Sequence, residues 1–173
     1  VEFPVNIALI DESGSAIAGI VYAPALDELA YAAKGEGAWL ERCDGKMVLR
    51  ARALPDVPVL AVSRSHASAA TRALLNGIGA HETLAAGSAL KFIRVAQGRA
   101  DLYPRFGPTS EWDTAAGQCV LEEAGGCVLD LHGHPLRYNR RETLLNPEFL
   151  AVGDVGAHWP ERITAILHET TAD

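Results

Sequence analysis

The sequence predicts an α/β chain in two parts. Residues 1–54 are the remainder of an N-terminal antiparallel sheet domain, and 55–173 form a mostly parallel α/β domain, joined near 51–57. Three observations predict it. Up to residue 50 the chain is a series of short apolar runs with Gly- or Asp-rich turns between them, the pattern of a meander. Past residue 55, strand-like runs alternate with segments of helical spacing, which suits a parallel sheet covered by helices. Of 173 residues, 49% are hydrophobic and 21% charged, enough to bury a core.

Each element follows from its local pattern. "FPVNIALI" (3–10) alternates loosely and turns at "DESGS"; "AIAGIVYAP" (16–24) runs apolar to a proline. "DELAYAA" (27–33) has a helical composition, but the flanking turns make it a strand. "GAWLE" and "KMVLR" follow, after "KGEG" and "CDG". "PVLAVS" (58–63) is a buried strand. "HASAATRALLNGIG" (66–79) repeats apolar residues at Leu74, Leu75 and Ile78 and stops at glycine, so it is a helix. "HETLAAG" and "DLYPRF" are strands around the helical "SALKFIRVAQGRA" (88–100), whose apolar face is Ala89, Phe92, Ile93 and Ala96. "TSEWDTAAGQCVLEEAGG" is a helix closed by two glycines. "CVLDL", "GHPLRY" and "FLAVG" continue as strands before a last helix over 158–169.

Composition excludes several classes. A net charge of -7 argues against a nonspecific nucleic-acid binder, which needs a basic face. No run approaches the ~20 apolar residues of a membrane span. "VEFPVNIALI" has no basic start and is expected to be a strand entered in mid-course, not a signal peptide. Cys43, Cys119 and Cys127 are odd in number and widely spaced, so neither a zinc site nor a disulfide framework is expected, and a cytoplasmic location follows.

Candidate site residues gather where strands end and helices begin, the usual ligand position in open α/β sheets. Asp113 falls in the first turn of its helix, where a carboxylate is favoured by the dipole. It is a plain helix-start residue or, beside free N–H groups and the small run Ala115, Ala116 and Gly117, a ligand for Mg²⁺ bridging to a phosphate. Ser63, Arg64, Ser65 and His66 follow one strand; the alternatives are a phosphate site, or Ser65 as a helix cap and His66 as a solvated residue. Gly87 and Ser88 repeat the arrangement, with Lys91 one turn on, either a grip for phosphate or ribose or an ordinary solvated lysine. Arg105 lies in a stiff loop of Pro104, Gly107 and Pro108 and suits bidentate phosphate contact, or is a surface arginine. Tyr103 and Phe106 are expected in the core, His132 and His134 in an exposed turn, and Glu122 and Glu123 on a helix surface.

"WDTAAGQCVLEEAGG" resembles the C-terminal signature of the inositol monophosphatase-like, lithium-sensitive phosphomonoesterases, with Glu-Ala-Gly-Gly beginning eleven residues after the Trp. "FPVNIALID", "GIVYAP", "VSRSH", "GSALKF", "LYPRFGPTSEWDTAAG" and "LNPEF" are similar to the CysQ-type branch, the 3'(2'),5'-bisphosphate nucleotidases. The resemblance implies a layered α/β sandwich of the sugar-phosphatase type. It implies that Asp113 is a magnesium ligand and that Ser63, His66, Gly87, Ser88, Lys91, Arg105 and Asp113 bind substrate. The family's other metal ligands come from a Glu cluster and an Asp-Pro-hydrophobic-Asp-Gly-Thr motif, and neither occurs here. "PALD" (24–27) lacks the Gly-Thr and lies on the wrong side of its strand. The chain is therefore expected to be the C-terminal part of such an enzyme and inactive alone.

The implied reaction is metal-assisted hydrolysis of 3'-phosphoadenosine 5'-phosphate to AMP and phosphate, with Mg²⁺ and inhibition by Li⁺. The implied partner is a small nucleotide bisphosphate, with no nucleic acid or transmembrane segment. A homodimer and a peripheral association with the inner membrane are compatible with the resemblance. An inositol monophosphatase and a noncatalytic adenine-nucleotide-binding fragment are the alternatives. Arg105, Lys91 and His66 argue for a doubly anionic nucleotide over a neutral polyol ring.

Overall fold

A computed structural model of the chain describes residues 3–63 and 68–170. The first sheet is an antiparallel meander of β1 (Val5–Ile10), β2 (Ala16–Ala23), β3 (Glu28–Ala33), β4 (Gly37–Arg42) and β5 (Gly45–Val48), in that spatial order. Alternation sends Val21, Ala30, Ala32, Ala38 and Leu40 to one buried face. The β3–β4 hairpin needs Gly35 and Gly37, whose φ values of 82° and 76° are costly for any residue with a Cβ.

The second sheet has β6 (Val59–Val62), β7 (Glu82–Ala85), β8 (Leu102–Arg105), β9 (Cys127–Asp130) and β10 (Phe149–Val152), in the order β7-β6-β8-β10-β9. β6 runs parallel to β7 and β8, as the alternation of strands and helices predicts. The last two strands join antiparallel, β10 to both β8 and β9. "GHPLRY" forms no strand, only an isolated bridge between Leu129 and Pro135. No helix among the described residues is long and apolar enough to cross a membrane.

Helices α1 (Ala69–Gly77), α2 (Leu90–Ala96), α3 (Glu111–Glu123) and α4 (Trp159–Thr170) cover the second sheet on both faces. Neighbouring residues of each strand divide between two cores. Leu60, Leu102 and Leu150 meet Leu74 of α1 and Trp159 and Ile163 of α4. Ala61, Tyr103 and Ala151 meet Phe92 of α2 and Val120 of α3, and the same cluster takes in Val21 and Leu40 of the first sheet. α2 and α3 are therefore the layer between the sheets. The crossing chain is pinned by Arg52, whose Nε and Nη2 donate to Asp101 at 2.8 Å each, while Asp101 Oδ2 accepts the Val59 N–H.

Candidate functional site

The carboxyl ends of the parallel strands β6 and β8 open beside the first turn of α3 and the turn that precedes α2. There a cavity of about 180 Å³ is lined by Ser63, Ser88, Lys91, Arg105 and Asp113. All five are sequence-predicted site residues, from four separate segments. Tyr103, Thr109 and Thr114 complete the wall. Gly87 is half-buried in the turn next to Ser88. His66, with Arg64 and Ser65, lies outside the described residues. The cap of α1 is Ser68, not Ser65: its side chain accepts the Thr71 N–H at 3.1 Å.

Asp113 fills the helix-start role, and it also lines the cavity. It stands at N3 of α3, behind the N-cap Ser110. Its Oδ2 accepts the Ser110 N–H at 3.0 Å, one half of a capping box. Its Oδ1 has no hydrogen-bond partner among the described residues, and the half-buried carboxylate lines the cavity.

The cations are held more firmly than the sequence suggests. Lys91 is only 2% exposed, so it is not a solvated lysine. Its Nζ donates to Ser88 O at 3.0 Å and lies 3.4 Å from Ala86 O and 4.7 Å from the Tyr103 ring centroid. Ser88 precedes α2, which is shorter than its pattern, and holds a positive φ of 39°. Arg105 is half-buried. Its Nε donates to Gly107 O at 3.2 Å and one Nη2 hydrogen to Pro108 O at 2.9 Å, so one edge of the guanidinium stiffens its own loop. Among the described residues Nη1 takes no bond, which leaves the end-on fork for a ligand.

Sequence reasoning missed the residues that hold this wall. Asn146 places its amide nitrogen 2.9 Å from Ser110 O, 3.0 Å from Thr114 Oγ1 and 3.2 Å from Thr109 Oγ1. The buried Glu111 accepts from Arg141 Nη2 and from the Asn139 N–H, both at 2.9 Å. The loop 139–146 is thereby clamped to the start of α3. The quoted "LNPEF" contained the signal for Asn146, but nothing in its spacing showed what the amide would reach. A second cavity of about 240 Å³ shares Ser63 and Arg105 with the first and adds Thr71 and Phe106.

Two other expectations change. Glu123 is not a free surface charge: its carboxylate accepts the N–H groups of Gly35 and Gly37 at 3.0 Å and ties α3 to the β3–β4 hairpin. Glu122 is half-buried, and burial pushes its carboxyl above the usual carboxylate range. His132 and His134 are exposed, and the three cysteines are free thiols.

Among the described residues no group of three or more His, Cys, Asp or Glu side chains could hold a metal ion. Asp113 with its open Oδ1 fits Mg²⁺ only as a single contributor, sharing the ion with phosphate oxygens and waters.

Comparison with known proteins gives the same frame. The chain is 50% identical over 149 residues to the 3'(2'),5'-bisphosphate nucleotidase CysQ of Shigella flexneri, covering 86% of this chain and 59% of that protein. The same figures hold for the CysQ protein of Escherichia coli K12. The crystal structure of CysQ from Bacteroides thetaiotaomicron superposes with a TM-score of 0.80 at 34% identity, covering 88% of this chain and 63% of that one. The chain thus spans about three fifths of the length of these relatives. The Inositol monophosphatase family profile matches residues 2–171. With that match and half-identity over most of its length, the chain belongs to the inositol monophosphatase family.

Proposed function

We propose that this chain carries the substrate-gripping side of a Mg²⁺-dependent phosphomonoesterase that takes 3'-phosphoadenosine 5'-phosphate to AMP and phosphate. The observation that carries the reading is the convergence of Lys91, Arg105, Ser63, Ser88 and Asp113 on one cavity. A chain of net charge -7 gathers two cations there, which calls for an anionic ligand. The name of its half-identical relatives supports the bisphosphate nucleotide.

In this reading the open fork of Arg105 takes a phosphate oxygen in a planar, two-bond contact. The Lys91 side chain, 2% exposed, supplies positive charge from low-dielectric surroundings, where it acts more strongly than in bulk. The hydroxyls of Ser63 and Ser88 orient the ester. Asp113 directs Oδ1 at the place where the leaving oxygen separates. Mg²⁺, when bound, would neutralise charge on that oxygen and activate a water, and Li⁺ is expected to inhibit. A cytoplasmic site of action belongs to the same reading, and so do a homodimer and peripheral contact with the inner membrane.

Calorimetric titration with adenosine 3',5'-bisphosphate and inositol 1-phosphate tests the substrate. The second phosphate adds a charged contact of about 1.5–3 kcal/mol, so the nucleotide is expected to bind roughly tenfold to a hundredfold tighter. Equal or reversed affinities would favour the inositol phosphatase. Phosphate release with Mg²⁺ is expected at background, because one carboxylate does not hold a metal cluster. Turnover like that of a complete relative would show that the described residues suffice.

A further inference from the structure

The cavity contains a polar group that nothing among the described residues answers. Tyr103 is 5% exposed, lines the cavity, and its hydroxyl makes no hydrogen bond among the described residues. Its ring is fully used: it packs edge-on against Phe92 at 5.2 Å and Phe149 at 5.5 Å, with Lys91 Nζ 4.7 Å from its centroid. A phenylalanine would make those ring contacts equally well. Tyr138, also deeply buried, shows what an internal role looks like: its hydroxyl donates to Gln118 Oε1 at 2.5 Å. The Tyr103 oxygen is not among the fully buried unpaired atoms, which among the described residues are Asn6 Oδ1, Arg141 Nε and Trp159 Nε1; it stays open to the cavity, where a ligand can reach it. The oxygen of Tyr103 therefore adds nothing to the packing and is available to what enters the cavity.

The surroundings say what that is. Tyr103 and Arg105 are two apart on β8, so they project to the same face of the sheet. The phenol of a tyrosine loses its proton only well above neutral pH. It therefore keeps its proton at neutral pH and is a donor. Beside Lys91 and Arg105, the matching acceptor is an anionic oxygen.

We propose that the Tyr103 hydroxyl is a ligand contact, donating a hydrogen bond to an anionic phosphate oxygen held between Lys91 and Arg105. The inference rests on the phosphate reading of the cavity above and adds a residue to it.

The test is Tyr103→Phe in this chain, titrated with adenosine 3',5'-bisphosphate and with inorganic phosphate, alongside thermal unfolding without ligand. The variant is expected to unfold at the wild-type temperature or higher and to bind the bisphosphate roughly tenfold to a hundredfold more weakly. Wild-type affinity in the variant would overturn the inference while leaving the phosphate reading intact. A lower unfolding temperature without ligand would also overturn it, since the hydroxyl would then have a partner within the fold. A wild-type chain that binds neither probe would overturn the phosphate reading itself, and this inference with it.

Discussion

At Asp113, a residue that lines the cavity, one carboxylate oxygen makes the capping bond and the other has no hydrogen-bond partner among the described residues. Residue type and position alone could not separate these roles, because both ask for a short acid in the first turn of a helix. The capping bond uses one oxygen only: Oδ2 serves the cap, and Oδ1 has no hydrogen-bond partner among the described residues. This division makes two substitutions informative. Asparagine keeps an acceptor for the Ser110 N–H and gives up the charge–dipole attraction, about 0.3–1 kcal/mol. Alanine also removes the hydrogen bond, about 0.5–1.5 kcal/mol more. Urea unfolding should rank wild type, Asp113→Asn and Asp113→Ala in that order. Metal removal reads the other oxygen. In EDTA, Asp113→Asn is expected to bind adenosine 3',5'-bisphosphate at least as tightly as wild type, because a negative charge beside the phosphate is gone. Adding Mg²⁺ should tighten wild type only. Equal tightening of both would mean that Asp113 does not hold the ion. The positions of Lys91 and Arg105 were legible in the same way, as residues at strand and helix ends. Their partners were not, because Ser88 O, Gly107 O and Pro108 O are backbone atoms whose direction depends on turn geometry.

Elements were legible where a period ran long enough. The meander followed from its turns, and α3 from its cap and double glycine. α2 is shorter than its pattern: all of it is buried, Lys91 and Arg94 included, and Ser88 before it holds a positive φ through which a helix cannot run. The small run in α3 was understood only in part. In the sequence the small run Ala115, Ala116 and Gly117 stood only beside a candidate ligand; in the structure β2 packs on Ala116 and Phe92 on Gly117, while Ala115 and Ala116 also line a cavity of about 300 Å³ with Trp112 and Leu144. A Cβ on Gly19 of β2 would lie 2.5 Å from Ala116 O, and one on Gly117 would lie 2.6 Å from Phe92 Cδ2 and 2.9 Å from Phe92 Cβ. Phe92 is in turn locked between Tyr103 and Phe149. Gly117→Ala sets two effects against each other. Helix propensity favours alanine by about 1 kcal/mol. Overpacking a closed core costs roughly 1–3 kcal/mol. With a contact this short against a side chain that has nowhere to go, overpacking wins, and a net loss of up to about 2 kcal/mol is expected from chemical denaturation. The shift should pass through Phe92 to Lys91 on the same helix, so bisphosphate affinity should fall as well. A stabilised Gly117→Ala variant would show that α2 can retreat freely.

Over the whole molecule, the first sheet has a second apolar face that the sequence only hinted at. On the side away from α3, Ile7, Ile20, Tyr31, Trp39 and Val48 lie in register across all five strands. Val5 and Tyr22 form the next row at the β1 edge. Lys46 covers part of it, with Nζ 4.1 Å from the Trp39 ring centroid. At the β1 end the face is open: Ile7 is 59% exposed and Ile20 40%. Loose alternation in "FPVNIALI" and "AIAGIVYA" reflects two apolar faces, and a sheet apolar on both faces cannot be told from a half-buried one by period alone. Contiguous exposed apolar area of this kind binds amphiphilic dyes. The folded chain is therefore expected to enhance the fluorescence of anilinonaphthalene sulfonate under native conditions. Ile20→Lys places a charge in the middle of the row, between Ile7 and Tyr31, and should remove a large part of the enhancement. Because the side chain points away from α3, stability should change by no more than about 0.5 kcal/mol. If the dye signal instead follows unfolding and ignores Ile20→Lys, the dye is reporting loosened packing elsewhere, and the face is covered when the chain is in solution.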